Sequence, residues 1–112
     1  MAHLLQMPNR RSRHYRVAIR YHPQRSLFTV VVSTDEDSVN EVRERPSLSE
    51  VIADLQCLGV SQEVMKGVVR RFAVERNIVI EDVLILDNDL MRFRKRQVNS
   101  SYNIWPRLDV ED

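Results

Sequence analysis

Arginines recur at even-numbered separations in two segments of the chain. The first segment contains Arg16 and Arg20, and the second contains Arg92, Arg94 and Arg96. Such separations place side chains on one face of a β-strand, and a guanidinium group makes forked hydrogen bonds to carboxylates and phosphates. If the two segments are neighbouring strands, we expect these five side chains to form one anion-binding face for a protein or nucleic-acid partner.

Catalytic chemistry has little support among the other reactive side chains. None of the three histidines has a thiol or carboxylate at metal-ligand spacing, so we expect exposed or hydrogen-bonded imidazoles. Cys57 has no evident activating group and is expected to be a buried structural thiol. The acidic groups at 35–37 and 87–89 lack the glycine and glutamate of a calcium loop. The sequence therefore predicts no catalytic residue, no metal site and no cofactor.

A β-hairpin is the clearest local prediction. Over residues 14–22, aromatic or β-branched residues alternate with basic or small ones, which is the pattern of a strand with one buried face. Pro23 then favours a turn. The β-branched residues of 27–33 predict the returning strand.

Two helices are predicted after the hairpin. Ser47 and Glu50 have the spacing of a capping box, and Gly59 supplies a left-handed stop for the helix that follows. Ser61 is placed to cap a second helix that runs to about Arg76. Both segments carry apolar residues at helical spacing, which predicts that each buries one side.

The remaining part of the domain is predicted as two more strands. Residues 78–86 have strand composition, 87–89 are typical of a turn, and 90–96 alternate again. The element order is then β-β-α-α-β-β. The predicted fold class is α+β, an antiparallel sheet with two helices packed on one face.

The chain divides into an arm, a domain and a tail. Its 112 residues fit a single domain, assigned to 14–96, with a basic arm at 1–13 and a polar tail at 97–112. The tail holds the only tryptophan, Trp105. A tryptophan in a tail either folds back on its own domain or anchors in a partner's pocket, and both readings stay open.

The turn between the predicted helices, at residues 58–61, resembles the Gly-Val-Ser turn of bacterial helix-turn-helix DNA-binding proteins. The resemblance covers residues 55–69 and departs from the family pattern at Asp54, usually apolar, and at Leu55, usually small. It implies that the second helix contacts DNA bases. The contact residues would be Gln62, Glu63, Lys66 and Arg70. An ordinary helical hairpin with the same stop and cap is the alternative.

Charge is unevenly distributed along the chain. Residues 1–34 carry six arginines and no acid, whereas residues 35–64 carry eight acids and two arginines. Arginine outnumbers lysine 15 to 2. This separation favours electrostatic docking, including self-association.

These observations predict a small non-enzymatic regulatory or assembly protein that binds a protein partner, or a second copy of itself, through the arginine face and Trp105. The alternative is a nucleic-acid-binding module that contacts the phosphate backbone with the same arginines. No apolar run is long enough to cross a bilayer, and the N-terminal segment lacks the order of a signal peptide. One cysteine fits a reducing compartment, so we expect a cytoplasmic protein with no membrane partner and no small-molecule substrate.

Overall fold

A four-stranded antiparallel sheet organises the domain. The computed structural model describes residues 11–34 and 40–98. Its strands are β1 (Ser12–His22), β2 (Leu27–Ser33), β3 (Asn40–Arg45) and β4 (Asn77–Leu86), and its helices are α1 (Leu48–Cys57), α2 (Gln62–Arg71) and α3 (Asp87–Lys95). The strand order in the sheet is β3-β2-β1-β4.

The predicted hairpin of β1 and β2 is confirmed. Val17 pairs with Val32 of β2 and, on its other side, with Ile80 of β4. The turn after Pro23 is closed by the Arg25 N–H, which donates to the His22 carbonyl at 3.1 Å. β1 is therefore a central strand with a neighbour along both edges.

The core lies between one face of the sheet and the helices of the described part. Odd-numbered residues of β1 point into it, as the alternation predicts. Its buried sheet residues are Tyr15, Val17, Ile19, Val30, Val32, Ile78 and Ile85, and those from the helices and connections are Val51, Leu55, Leu58, Val60, Met65, Val68, Leu90 and Phe93. The predicted fold class, an α+β domain with helices packed on an antiparallel sheet, is confirmed.

Both predicted helix caps are present. The Ser47 hydroxyl accepts the Glu50 N–H at 3.3 Å, and the Ser61 hydroxyl accepts the Val64 N–H at 3.2 Å. Gly59 has φ of +85°, the left-handed conformation that ends α1. The second half of the predicted capping box does not form, because the Glu50 carboxylate binds Arg96 instead.

β3 is a strand that the sequence did not indicate. Its helix-facing positions are charged, so the segment lacks the apolar alternation of a half-buried strand. Glu41, Arg43 and Arg45 occupy them, opposite Val32, Val30 and Phe28 of β2. Inward-pointing charges are one way in which proteins keep an edge strand from pairing with other chains.

The structure corrects the sequence prediction for residues 87–96. They form α3 and its C-terminal cap rather than a turn and a strand. Leu90 and Phe93, three residues apart, are buried, whereas Met91 is 45% exposed. The inward-facing pair therefore has helical spacing, and the alternation of Met91 with Phe93 was misleading.

The charges of this segment also suit a helix. Asp87 and Asp89 lie in its first turn, and Arg92, Arg94 and Lys95 lie in its last. Carboxylates near a helix N-terminus and cations near its C-terminus interact favourably with the helix dipole. Within the described residues, no helix has the length and apolar character needed to cross a membrane.

Candidate binding surfaces

The two predicted rows of arginines lie on opposite sides of the sheet. Arg16 and Arg20 leave β1 on the face turned away from the helices. Arg92 and Arg94 lie on α3, on the helical side, and Arg96 follows directly. The expected single arginine face is therefore wrong, because its second row belongs to a helix. Partner binding by Arg16 and Arg20 stays a prediction.

The arginines of α3 are bound by the protein's own acids. Arg94 Nε lies 2.7 Å from Glu41 Oε2 of β3, and Arg92 pairs with Asp89 one turn earlier in the helix. The Arg94–Glu41 pair attaches α3 to the edge strand, and both pairs compensate charges that the sequence analysis had assigned to a partner.

Arg45 and Asp54 form a buried ion pair beneath β3. Arg45 is 5% exposed and Asp54 is fully buried. Arg45 donates to both carboxylate oxygens, at 2.6 and 3.1 Å. Arg96 adds a third donor, its Nη1 at 3.0 Å, and its Nη2 donates to Glu50. Such forked, fully hydrogen-bonded geometry is what a buried charge requires.

The aromatic ring of Phe93 lies close to two guanidinium groups of β3. The Cζ atoms of Arg43 and Arg45 are 5.8 and 5.9 Å from the centre of its ring, within the range of a cation–π interaction. The ion-paired side chains around this ring form one network, which we call the polar seam. Its members are Glu41, Arg43, Arg45, Glu50, Asp54, Arg94 and Arg96. The seam joins β3 to α1 and α3.

The sheet face turned away from the helices, here called the open face, carries an apolar row across all four strands. Val42 pairs with Val31, Val31 with Ala18, and Ala18 with Val79. The two end residues remain accessible in the described part of the chain, with Val42 52% and Val79 44% exposed. Leu84 on β4 adds a further exposed side chain. We refer to the four paired residues as the apolar row.

Arg16 and Arg20 lie on either side of this row on β1. Arg16 Nε is 3.2 Å from Glu81 Oε1, so an acid compensates its charge. Arg20 Nε donates to Asn77 Oδ1 at 2.8 Å, and an amide oxygen carries no net charge. Within the described residues, Arg20 therefore contributes a positive charge with no ion-pair partner.

Further polar pairs surround the open face. Arg25 lies 3.1 Å from Glu44, and His14 Nδ1 lies 2.9 Å from Asp82. His22 Nε2 is 3.2 Å from the Thr29 hydroxyl. His22 is hydrogen-bonded and His14 is exposed beside a carboxylate, which agrees with the expectation of exposed or hydrogen-bonded imidazoles. His3 lies outside the described residues.

An aromatic cleft opens at the hairpin end of the domain, on the helical side of the sheet. Its volume is about 310 Å³. The rings of Tyr21 and Phe28 are 4.8 Å apart, and Phe72 meets Phe28 edge-on at 5.6 Å. Arg76 Cζ lies 5.9 Å from the Tyr21 ring. The remaining lining residues are Leu48, Ala73, Val74 and Glu75.

The candidate DNA-contacting residues lie on one exposed stripe of α2. Gln62, Lys66 and Arg70 are spaced by four residues and all are exposed, as is Glu63. The neighbouring Arg71 donates side-chain hydrogen bonds to the Glu75 carboxylate, which raise the pKa of its guanidinium. The predicted contact residues are therefore exposed on α2, and their contact with DNA stays a prediction.

Asp54 explains one departure from the helix-turn-helix pattern. The family position is usually apolar, and here it holds the carboxylate of the buried ion pair with Arg45. α1 therefore faces a charged edge strand at this position rather than an apolar core.

Cys57, predicted to be a buried structural thiol, is only partly buried, with its Sγ 4.0 Å from the Asp89 carbonyl. Among the described residues, no three metal-ligating side chains form a group that could hold a metal ion. Trp105, the arm up to residue 10 and the acidic residues 35–37 lie outside the described ranges.

A comparison with models of known protein families gives no match, and comparisons with curated proteins and with solved structures give no significant match.

Sequence reasoning missed the apolar row and the aromatic cleft. The row depends on strand register, which joins residues from four separate segments. The cleft joins a strand end with the end of α2. The exposed valine of β4, Val79, was a partial signal, because an apolar residue on the outward parity of a strand is accessible once the other parity is buried.

Proposed function

We propose that this protein is a non-enzymatic assembly or regulatory domain that binds a protein partner on the open face of its sheet. The apolar row carries this proposal. An exposed apolar patch bordered by polar residues is the usual form of a protein-binding surface. The partner it fits has apolar side chains opposite the row and a carboxylate opposite Arg20.

The composition of the surface supports the same conclusion. Arginine is enriched in protein interfaces and lysine is depleted, and β1 places only arginines beside the row, Arg16 and Arg20. Burying one aliphatic side chain fully contributes about 1.5–3 kcal/mol. The exposed Val42 and Val79 can therefore contribute to the apolar centre of an interface, with the arginines at its rim.

A second copy of the chain is one partner of this kind. The open face carries both signs of charge, from Arg16 and Arg20 on β1 to Glu44 on β3 and Glu81 on β4. Two such faces can therefore meet with opposite charges opposed in a two-fold arrangement.

The test uses aspartate at an exposed valine of the row. Sedimentation velocity over a range of concentrations measures self-association of the wild type and of Val79→Asp. A photo-crosslinking residue introduced at Val42 in the native host captures a partner of either kind. A matched control places the same crosslinker at Gln56, exposed on α1. Crosslinks at Val42 that Val79→Asp abolishes support the proposal. No self-association, together with equal crosslinking at Val42 and Gln56, contradicts it.

A nucleic-acid-binding role is the second candidate, favoured by the stripe of Gln62, Lys66 and Arg70. Titration into labelled duplex DNA and single-stranded RNA at several salt concentrations tests it. Each phosphate contact on duplex DNA contributes a slope of about −0.9 to the log–log salt dependence. Lys66→Gln and Arg70→Gln should each reduce that slope. Absence of binding at low salt contradicts this role.

A further inference from the structure

The aromatic cleft is built to receive an apolar side chain. The rings of Tyr21, Phe28 and Phe72 form its walls, and all three are only partly buried. At its mouth Val74 is 83% exposed. Aromatic rings arranged in this way leave faces and edges free for another ring to stack on.

The size of the cleft suits one or two large side chains. Its volume of about 310 Å³ lies at the lower end of the range for small-molecule pockets. Arg76 is the cation at its rim, and its guanidinium contacts only the Tyr21 ring among the described groups. The Glu75 carboxylate is occupied by Arg71 at 3.1 Å. An apolar side chain followed by acidic residues therefore matches the cleft.

We propose that Trp105 of this chain's own C-terminal tail occupies the aromatic cleft. The tail has the required chemistry, since Ile104 and Trp105 are followed by Asp109, Glu111 and Asp112. The indole ring packs against Phe28 and Phe72, and the acidic residues lie near Arg76.

Arg96, the last anchored residue of the described chain, lies close to a residue that lines the cleft. Arg96 is anchored to Glu50 at 2.5 Å, and Glu50 lies two residues after Leu48, which lines the cleft. Trp105 is seven residues beyond Val98, the last described residue. An extended chain of this length spans about 23–25 Å, and it begins two residues after Arg96, whose partner Glu50 lies two residues from Leu48 of the cleft.

The experiment reads the fluorescence of Trp105, the only tryptophan of the chain. The full-length protein is excited at the red edge of indole absorption, where tyrosine does not absorb. In the wild type we expect blue-shifted emission and weak quenching by acrylamide. Val74→Asp places a carboxylate at the cleft mouth and should shift the emission to the red and increase the quenching constant severalfold. Because Val74 is 83% exposed, the fold is retained, and circular dichroism checks this.

Val79→Asp is the matched control. It makes the same change at an exposed valine on the open face and should leave the emission unchanged. Emission typical of indole in water in the wild type overturns the proposal. So does a response to Val79→Asp without a response to Val74→Asp, since the tail then lies on the open face. A blue shift that disappears on dilution assigns the occupant to a second copy, which also overturns it.

Discussion

The guanidinium of Arg45 and the carboxylate of Asp54 meet through two hydrogen bonds of 2.6 and 3.1 Å inside the domain. One residue ends the edge strand β3 and the other lies in the middle of α1. A third donor, Arg96, reaches the same carboxylate from beyond α3 at 3.0 Å. Three elements therefore converge on one buried acid.

Removing one partner of this pair should strongly destabilise the fold. Asp54→Ala leaves the buried Arg45 without a counter-charge, which typically costs about 3–5 kcal/mol of unfolding free energy. Urea denaturation monitored by circular dichroism measures the loss. Arg25→Ala, which breaks the exposed pair with Glu44, is the control and should cost less than about 1 kcal/mol. Equal effects of the two substitutions would contradict the structural role assigned to Asp54.

The two glycines should respond oppositely to alanine. Gly67 lies inside α2 with nothing within 4 Å of a Cβ built on it, so Gly67→Ala should stabilise the protein by about 1 kcal/mol through helix propensity. Gly59 has φ of +85°, and its Cβ would lie 3.3 Å from Asp89 Oδ2. Gly59→Ala should therefore lower the stability by at least about 1 kcal/mol. Denaturation midpoints measure both, and a destabilising Gly67→Ala would indicate an unseen contact on α2.

Alanine substitutions in α3 distinguish the helix from the strand that the sequence suggested. Leu90→Ala should cost about 2–5 kcal/mol, because Leu90 is 6% exposed in the core. Met91→Ala should cost little, because Met91 is 45% exposed. A strand over 90–96 would reverse this order by turning Met91 inward beside Phe93. Thermal or urea unfolding of the two variants decides between them.

The open face should tolerate polar substitution without loss of stability. Val42 and Val79 are exposed, and a surface substitution away from special features usually changes stability by less than about 0.5 kcal/mol. Val79→Asp should therefore unfold near the wild-type midpoint while reducing partner binding. A large loss of stability would show that the row is covered in the free protein.

Sequence patterns predicted the elements whose local residue preferences agree with their tertiary packing. The β1–β2 hairpin, the two serine caps and the Gly59 stop each depend on neighbouring residues, and the structure contains all of them. β3 could not be predicted because its inward-facing residues are charged. Arg43 and Arg45 face inward toward ion pairs and an aromatic ring, so the strand lacks the alternation of apolar residues that indicates a buried face.

The errors at the C-terminal end of the domain have a different cause. Over residues 90–96, arginines at every second position imitate a strand, whereas the burial of Leu90 with Phe93 and the acids before them fit a helix. The open face and the aromatic cleft depend on which segments become neighbours. Strand register and the ion pairs of Arg94 and Arg96 decide this. The pairing of β1 with β4 and these ion pairs join residues more than 40 positions apart.

The charged, helix-facing side of β3 also helps to protect the neighbouring strand β2 from pairing with other chains. β2 has the sequence LFTVVVS, a run of high β-propensity without charge, proline or glycine, which is the signature of amyloid-forming segments. β3 occupies the free edge of this strand through its backbone pairing, and the polar seam holds β3 in place. Mutations that loosen the seam should therefore promote fibril formation before they cause global unfolding.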